Sequence, residues 1–245
     1  MELVRYKVVL AYDGSAFGGL QRQAKGRSVQ AAVEATLRSM GWQGKAILAA
    51  GRTDAGVHAS GQVIAFDLVW KHSAATLLKA LNAGLPASIA AKEAHLAGAD
   101  FHPRYDARLR CYEYRLICQP QRDPLRERYA WRVWPPVKLG RLQKAARALR
   151  GEHDFGAFGS PAKPGGSTVR KVRQASWSKA GEDEFVFTVK ASGFLYHMVR
   201  KIVGLQVKVG QGALEPASVE QALGSGDKVR QLAPPQGLCL VAVEY

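Results

Sequence analysis

Three kinds of feature are scarce in this sequence, and each shortage excludes a class of protein. The chain has only three cysteines, Cys111, Cys118 and Cys239, without CxxC or Cys/His spacing, so neither a disulfide framework nor a zinc site is expected. No uninterrupted apolar run approaches the roughly 20 residues of a membrane span. Residues 1–7 alternate charged and apolar side chains and do not resemble a signal peptide. We therefore expect a cytoplasmic protein without a membrane segment or a metal.

Acidic residues are scarce as well. The 20 Asp and Glu residues face 35 Lys and Arg residues, which gives a formal net charge of +15. Such a surplus favours a polyanionic partner, because basic side chains that neutralise phosphates release counterions. No basic amphipathic helix or lipid-attachment motif accompanies the charge, so we expect nucleic acid rather than an acidic membrane surface.

The first half of the chain has the periodicity of a β-α-β-β-α-β unit. A chain of 245 residues, 47% of them hydrophobic, is long enough for one large domain or two small ones. Ser28 has the position of a helix N-cap, since Val29, Val33 and Leu37 follow it at helical spacing. The predicted elements are a strand over residues 7–12, a helix over 29–40, two strands within 45–68, a helix over 74–83 and a strand over 89–96.

The second half follows a similar order, from a strand over residues 111–117 to a closing strand over 238–243. We therefore predict an α+β fold of two ferredoxin-like (split β-α-β) halves, with joined antiparallel sheets and a central cleft. The predicted domains are residues 1–105 and 106–245. Between the two outer strands we expect a helix over 138–149, strands over 168–178 and 184–191, and helices over 196–209 and 217–223.

Residues 50–59 form a glycine-containing turn between two predicted strands. The turn contains Arg52, Asp54 and His58 together with two glycines, Gly51 and Gly56. Glycines there allow a positive φ or a close approach of the backbone to a ligand. The alternative is an ordinary β-connection with a solvated aspartate.

Three positions in the second half are candidates for the same site. Tyr112 shares one face of its predicted strand with Tyr114 and Arg110, and such a face can stack on a base or belong to a half-buried core. Arg200 lies beside the apolar side of a predicted helix, where it either pairs with a carboxylate or extends its charged end to water. Leu238 begins the closing strand and taken alone is a core residue.

Two basic loops are candidates for contact with RNA, although ordinary solvated loops have the same composition. The loop over residues 15–27 mixes aromatic, amide and basic side chains, and the segment over 161–167 contains glycine and proline. The candidate side chains in and just after these loops are Gln21, Arg22, Gln23, Lys25, Arg27, Lys163, Arg170 and Lys171.

The order of several motifs resembles the TruA family of tRNA pseudouridine synthases, collinearly from about residue 5 to residue 245. The Gly-Arg-Thr-Asp-Ala-Gly-Val-His block at residues 51–58 is the most specific of them. The others are Tyr12-Asp13-Gly14-x-x-Phe17-x-Gly19-x-Gln21-x-Gln23, Asp100-Phe101-His102, His197-Met198-Val199-Arg200 and Gly237-Leu238-x-Leu240-Val241.

The resemblance implies a role for each candidate. Asp54 matches the catalytic aspartate, and Arg52 matches the arginine that helps to turn the target base out of the stem. Tyr112 matches the tyrosine that packs on the uracil, Arg200 the basic partner of the aspartate, and Leu238 the apolar wall of the site. The family modifies positions 38, 39 and 40 of the tRNA anticodon arm, works as a homodimer and needs no metal or cofactor. His58 and Arg110 are expected among the RNA contacts.

Three positions depart from the family pattern. Leu20 stands where a tryptophan is frequent, Cys111 where a basic residue is common, and Gly159 where an arginine usually follows the phenylalanine. We expect these departures to affect tRNA docking and not the reaction.

A single carboxylate suits this isomerisation, in which uracil is detached from C1′, turned and rejoined at C5. Glycosidases use two carboxylates because they must activate water. Asp54 has three chemical routes open to it: attack at C1′, attack at C6, or removal of a sugar proton. The main rival is a non-catalytic RRM-like RNA-binding protein, which has no need of Asp54 in a glycine turn. A metal-dependent nuclease would need clustered carboxylates, and the nearest acid along the chain is Asp67.

Overall fold

The protein is composed of two compact units of mixed α/β structure. The computed structural model describes residues 2–24 and 26–245. Unit 1 comprises the chain up to Arg108 together with Leu240–Tyr245, and unit 2 is Leu109–Cys239. The described residues form ten strands, paired mostly antiparallel, and five α-helices, which confirms the predicted α+β class. None of those helices is long and apolar enough to cross a membrane.

Unit 1 has the predicted β-α-β-β-α-β order. The elements are β1 (Val4–Tyr12), α1 (Val29–Ser39), β2 (Leu48–Ala49), β3 (His58–Leu68), α2 (Ala74–Gly84), β4 (Ile89–Leu96) and the greater part of β10 (Leu238–Glu244). The strands lie in the order β4-β1-β3-β10, and β2 also pairs with β3.

The central pair of strands in unit 1 is fixed by an ion pair at one end. Arg5 of β1 lies opposite Asp67 of β3 in the antiparallel register. Its Nε and Nη2 atoms donate to the two carboxylate oxygens over 2.7 and 2.8 Å. These hydrogen bonds lower the pKa of Asp67 and raise the pKa of Arg5. A slip of one residue would break this pair and turn the buried face outward.

Both helices of unit 1 begin at a serine cap. Ser28 Oγ accepts a hydrogen bond from the Ala31 N–H over 3.2 Å, and Ser73 Oγ accepts one from the Thr76 N–H over 3.2 Å. Each cap satisfies one of the N–H groups that lack a partner inside the helix. The Ser28 cap was predicted from the sequence and is confirmed.

Unit 2 contains two short strands that the sequence did not predict. β6 (Trp131–Val133) pairs in parallel with β5 (Leu109–Cys118), and β7 (Gly151–Asp154) pairs with β8 (Val169–Lys179). Strands of three and four residues are too short to carry a clear alternation of apolar and polar side chains. The other elements are α3 (Leu139–Arg147), β9 (Glu184–Ala191), α4 (Met198–Gly210) and α5 (Ser218–Ser225).

The core of unit 2 surrounds α4. Almost every side chain of this helix is buried, including the polar Gln206, which is fully buried. Gln206 Oε1 accepts a hydrogen bond from Trp177 Nε1 of β8 over 2.7 Å. A buried polar group needs such a partner, because water is not available to it. The bond connects α4 to the β5-β9-β8-β7 sheet of unit 2.

The closing strand divides differently from the prediction, which assigned all of it to the second domain. Leu238 and Cys239 belong to unit 2, and the strand continues from Leu240 in unit 1. The physical reason is close packing on β3, because a Cβ atom added at Gly61 would lie 2.2 Å from the Val241 carbonyl oxygen. Gly61 therefore permits the two backbones to approach.

We expect Gly61→Ala to destabilise the protein by about 1–3 kcal/mol, because the new methyl group forces the backbone near Val241 to move. Gly98→Ala is the matched control, since a Cβ there meets no atom within 4 Å. Its effect should stay within about 0.5 kcal/mol. Urea titrations of the free energy of unfolding give both values. Equal stability of the two variants would contradict the close approach.

Candidate active site

Asp54 lies in the loop between β2 and β3, and neighbouring side chains in that loop point to different environments. Thr53 is buried, Asp54 is half-buried, and Arg52 and Ala55 are exposed. The buried threonine anchors the loop, while the carboxylate and the guanidinium on either side of it remain accessible. Such a loop presents one carboxylate and one guanidinium to a ligand.

Three hydrogen bonds anchor the loop from within unit 1. The Tyr12 and Thr53 hydroxyls are 2.8 Å apart in a buried contact at the end of β1. The Leu20 N–H donates to the Thr53 carbonyl over 3.1 Å, and Gln62 Nε2 donates to the Gly51 carbonyl over 2.9 Å. An intramolecular hydrogen bond of this kind contributes about 0.5–1.5 kcal/mol. Together they hold the backbone of the loop on both sides of Asp54.

The neighbouring loop approaches Asp54 so closely that it requires glycine. Gly19 has a φ of 104°, and a Cβ there would lie 2.7 Å from the Thr53 carbonyl oxygen and 3.2 Å from the Asp54 carbonyl carbon. Gly56 has a φ of 76°, and its N–H donates to the Phe17 carbonyl over 3.3 Å. A side chain at Gly19 would clash and would also strain the backbone.

His58 belongs to the frame of this loop. The ring is buried, with 6% of the residue exposed, and its Nδ1 accepts a hydrogen bond from the Gly14 N–H over 3.0 Å. The imidazole therefore connects the start of β3 to the turn after β1. Its role as an RNA contact stays a prediction.

A buried glutamate holds the basic loop that precedes α1. Glu34 of α1 is fully buried, and its carboxylate accepts hydrogen bonds from Arg22 Nη1 over 2.8 Å and Gln30 Nε2 over 2.8 Å. It also accepts the Ile47 N–H over 3.2 Å, just before β2. Arg38 Nη2 lies 3.6 Å away. One carboxylate thus connects the basic loop to the strand that leads to Asp54.

The remaining candidates in the basic loop differ in how firmly they are held. Gln23 Nε2 donates to the Gly18 carbonyl over 2.8 Å, and the Arg27 guanidinium lies 5.8 Å from the centre of the Phe17 ring. Gln21 is exposed. Lys25 lies outside the described residues.

In unit 2, Tyr112 lies in a buried aromatic contact. Only 7% of it is exposed, and its ring meets the edge of Phe194 at 4.9 Å with an interplanar angle of 83°. Arg110, two residues earlier on β5, donates from Nη1 to the Ser192 carbonyl over 2.9 Å. Tyr112 and Arg110 thus both contact the segment between β9 and α4.

Arg200 is a buried cation in the first turn of α4. Its residue is 9% exposed, and Nε donates to the Ala233 carbonyl over 2.8 Å. The Ala233 N–H in turn donates to the Arg200 carbonyl over 3.1 Å. Burial raises the pKa of the Tyr114 phenol well above its usual range, and the positive charge of Arg200 partly opposes this rise. Arg200 is therefore held rigidly and does not extend into solvent.

Leu238 begins β10 directly after Gly237, which lies against the Tyr114 ring. The residue is 6% exposed, and a Cβ at the preceding Gly237 would lie 2.6 Å from that ring. The Tyr114 hydroxyl donates to the Pro234 carbonyl over 2.7 Å. The structure thus brings Tyr114, Arg200 and the start of β10 together within unit 2.

The second basic loop carries its three candidates in different settings. Lys163 and Lys171 are exposed, and Lys171 lies opposite Glu152 in the β7–β8 pairing. Arg170 is half-buried and donates from Nη1 to the carbonyls of Ser167 and Val169, and burial lowers its pKa.

The three departures from the family pattern lie at buried positions. Leu20 and Cys111 are 3% and 5% exposed. A Cβ at Gly159 would lie 2.5 Å from the Tyr196 carbonyl oxygen, next to the segment that leads into α4. An arginine at residue 159 would therefore displace that segment. All three departures are packing positions.

Two features of the site were missed in the sequence. Glu34 is one of them: it lies directly after Val33 on a predicted helix, and its place beside that buried position was the one sequence signal that its carboxylate is buried. His197 has a φ of 64°, and its ring stacks on Tyr196 at 3.7 Å. Neither the left-handed backbone nor the stacking follows from residue types alone.

Comparison with known proteins gives one family. A family model described as tRNA pseudouridine synthase matches residues 8–106 and 145–245. A protein from Moorella thermoacetica named tRNA pseudouridine synthase A is 42% identical over 243 residues, which are 98% of both chains. A protein of the same name from an Exiguobacterium species is 40% identical, and the match covers 98% of both chains. Another from Syntrophotalea carbinolica is also 40% identical, and the match covers 100% of this chain and 97% of its own length.

We expect Glu34→Gln to lower the free energy of unfolding by about 1–3 kcal/mol, because the charged acceptor of Arg22 is lost. Arg38→Gln is the control on the same carboxylate. Its longer 3.6 Å contact with a half-exposed guanidinium should contribute less than about 0.5 kcal/mol. Denaturant titration measures both. An equal loss in the two variants would show that the short contacts of Glu34 are not decisive.

Proposed function

This chain belongs to the tRNA pseudouridine synthase family, and we propose that it isomerises uridine at positions 38, 39 and 40 of the tRNA anticodon stem-loop with Asp54 as its catalytic carboxylate. The enzyme is a tRNA pseudouridine synthase, an isomerase, as family membership and the shared name of its relatives indicate. The three positions in the anticodon arm and the role of Asp54 are the finer part of the proposal.

One observation carries the assignment of Asp54. The loop around it is fixed by a buried contact of Thr53 and a partly buried contact of Gly51, while Asp54 itself remains half-buried. A catalytic group must be held in one geometry and must still be reached by its substrate. An aspartate in an ordinary solvated turn needs no such frame.

The reaction itself explains why one carboxylate suffices. The N1–C1′ bond breaks, the uracil turns, and a C5–C1′ bond forms. C5 then loses its proton and N1 gains one, so the product is an isomer of the substrate and no atoms or electrons are exchanged in net terms with a second reactant. Attack at C1′, attack at C6 and removal of a sugar proton all require an ionised carboxylate next to the ribose or the base. The half-buried Asp54 suits each of them.

Arg52 is proposed to take the place of the target base. A uridine in or beside a stem must leave its stack, which costs a few kcal/mol. The Arg52 side chain is exposed and lies two residues from Asp54 on the anchored loop. A planar guanidinium can stack on the neighbouring bases and contact the phosphates at the same time. We therefore propose base flipping with Arg52 as the inserted side chain.

Unit 2 is proposed to contribute the groups that hold the detached uracil. Tyr112 would stack on the base, and its hydroxyl would relay the proton from C5. Arg200 would supply a positive charge, and Leu238 would supply an apolar wall. The fixed positions of two of these side chains support their roles, because Tyr112 packs on Phe194 and Arg200 donates to the Ala233 carbonyl.

The partners in the proposal are tRNA and a second copy of the chain. The net charge of +15 suits the phosphates of an anticodon arm. The homodimer follows from the family resemblance, and analytical ultracentrifugation would test it. We place the enzyme in the cytoplasm, where its three cysteines, which form no disulfide among the described residues, stay reduced.

We expect Asp54→Asn to keep tRNA binding and to lower the rate of pseudouridine formation by at least about 10³-fold, because the amide is neither a base nor a nucleophile. The measurement is a map of pseudouridines in unmodified tRNA after incubation with each protein. Asp227→Asn, which changes an exposed aspartate of unit 2 outside the motifs, is the control and should leave the rate unchanged. Turnover by Asp54→Asn would sink the assignment, and modification outside positions 38–40 would correct the substrate.

We expect Tyr112→Phe to keep the contact with Phe194 and to slow the reaction by about 10²-fold, because the proton relay is lost. Tyr6→Phe is the matched control, since Tyr6 is a buried tyrosine whose ring stacks on Phe66. Single-turnover rates and tRNA affinities separate the two effects. An unchanged rate in Tyr112→Phe would remove the hydroxyl from the mechanism.

A further inference from the structure

The segment between β9 and α4 ends in two stacked aromatic rings. The rings of Tyr196 and His197 lie 3.7 Å apart with an interplanar angle of 25°. Tyr196 is 60% exposed, although a tyrosine ring usually turns its apolar faces away from water. The pair is therefore a flat aromatic surface open to solvent.

The backbone that forms this stack is strained. His197 has a φ of 64°, in the left-handed region, and it is the only described non-glycine residue with a positive φ. Its side chain makes no capping hydrogen bond to α4 that would account for the conformation. Such strain persists only where the surrounding structure enforces it, and it occurs most often at functional sites.

Contacts on several sides fix the position of the pair. Phe194, two residues before Tyr196, meets the ring of Tyr112, and Arg200 follows three residues after His197. The Tyr196 N–H donates to the Ser160 carbonyl over 2.9 Å. Gly159 permits this bridge, because a side chain there would strike the Tyr196 backbone. The aromatic surface is thus connected to the residue that we assign to the uracil.

We propose that Tyr196 and His197 form a nucleotide-binding site that holds the base next to the flipped uridine. The inference rests on the proposed function and adds a specificity-determining contact to it. Unstacked bases are bound by aromatic and histidine rings, and a base that neighbours a flipped nucleotide has lost one stacking partner. The Tyr196–His197 stack would replace that partner.

Charge near the pair favours a nucleotide over a protein side chain. The chain that follows Ser160 runs directly into the basic loop with Lys163, and the half-buried Arg170 lies against Gly193 of the β9–α4 segment, 3.5 Å from a Cβ placed there. These cations suit the phosphates on either side of a stacked base.

The first test measures RNA affinity in an Asp54→Asn background, so that turnover does not affect it. The probe is an RNA oligonucleotide of the anticodon arm. Tyr196→Ala should weaken binding about 5- to 150-fold, the range for loss of one base–aromatic stack, whereas Tyr196→Phe should stay within about twofold because its ring remains. Tyr105→Ala is the matched control, since Tyr105 is an exposed tyrosine that packs on the His102 ring in unit 1. Equal weakening by Tyr196→Ala and Tyr105→Ala would overturn the proposal.

A second variant guards against misfolding. His197→Gly removes the imidazole ring of the stacked pair. Because glycine adopts a φ of 64° without strain, the start of α4 should be retained. We expect an unchanged or raised melting temperature together with RNA binding weakened at least about fivefold. A folded His197→Gly protein with the affinity of its parent would contradict the site.

A third test identifies the nucleotide. The base on either side of the target uridine is replaced by an abasic residue, or by 2-aminopurine, whose fluorescence is quenched by stacking. The abasic RNA should bind less tightly to the parent protein, with no further loss in Tyr196→Ala, and quenching should occur with tyrosine or phenylalanine at residue 196 but not with alanine. Additive losses would overturn the proposal. Failure of the proposed function is distinguishable, because wild-type protein would then form no pseudouridine whatever the RNA affinities are.

Discussion

The structure of the site depends on the buried anchoring of Thr53 beside an accessible Asp54. The Tyr12 hydroxyl and the Leu20 N–H hold this threonine from two neighbouring segments, and the left-handed Gly19 lets one of them approach. Thr53 is buried and Asp54 beside it is half-buried, so the contacts that hold Thr53 leave Asp54 accessible. The buried Glu34 extends the same frame to the basic loop. The Asp54 side chain is thus positioned by the contacts of its neighbours in the fold.

Unit 2 uses a comparable arrangement around the segment that joins β9 to α4. Arg110 holds the start of the segment through the Ser192 carbonyl, and Phe194 meets the ring of Tyr112. The segment then enters α4 through the left-handed His197, and Arg200 follows in the first turn. A single short stretch of backbone therefore fixes the positions of an aromatic ring, a cation and an exposed aromatic stack.

Local signals in the sequence were sufficient for much of this. The Ser28 cap, the repeated apolar positions of α1 and the glycine turn around Asp54 depend on neighbours within a few residues, and each was predictable. The short strands β6 and β7 were not, because only pairing with a partner strand defines them. Burial of Glu34 and the left-handed φ of His197 also depend on distant segments. The family motif indicated Tyr112 and Arg200, but their burial and contacts required the fold.

The divided closing strand has a consequence for the order in which the protein can fold. The chain leaves unit 1 after Arg108, builds all of unit 2 and returns at Leu240, so unit 1 is interrupted by an entire second unit. During synthesis one edge of β3 is therefore paired only with the two-residue β2 until the last strand emerges. Contacts such as that of Gly61 with Val241 span some 180 residues of sequence. Contacts this distant along the chain slow folding, and an uncovered strand edge invites pairing between molecules. Unit 2 is contiguous and can be completed first, whereas unit 1, which contains the Asp54 loop, is completed only when the last strand emerges.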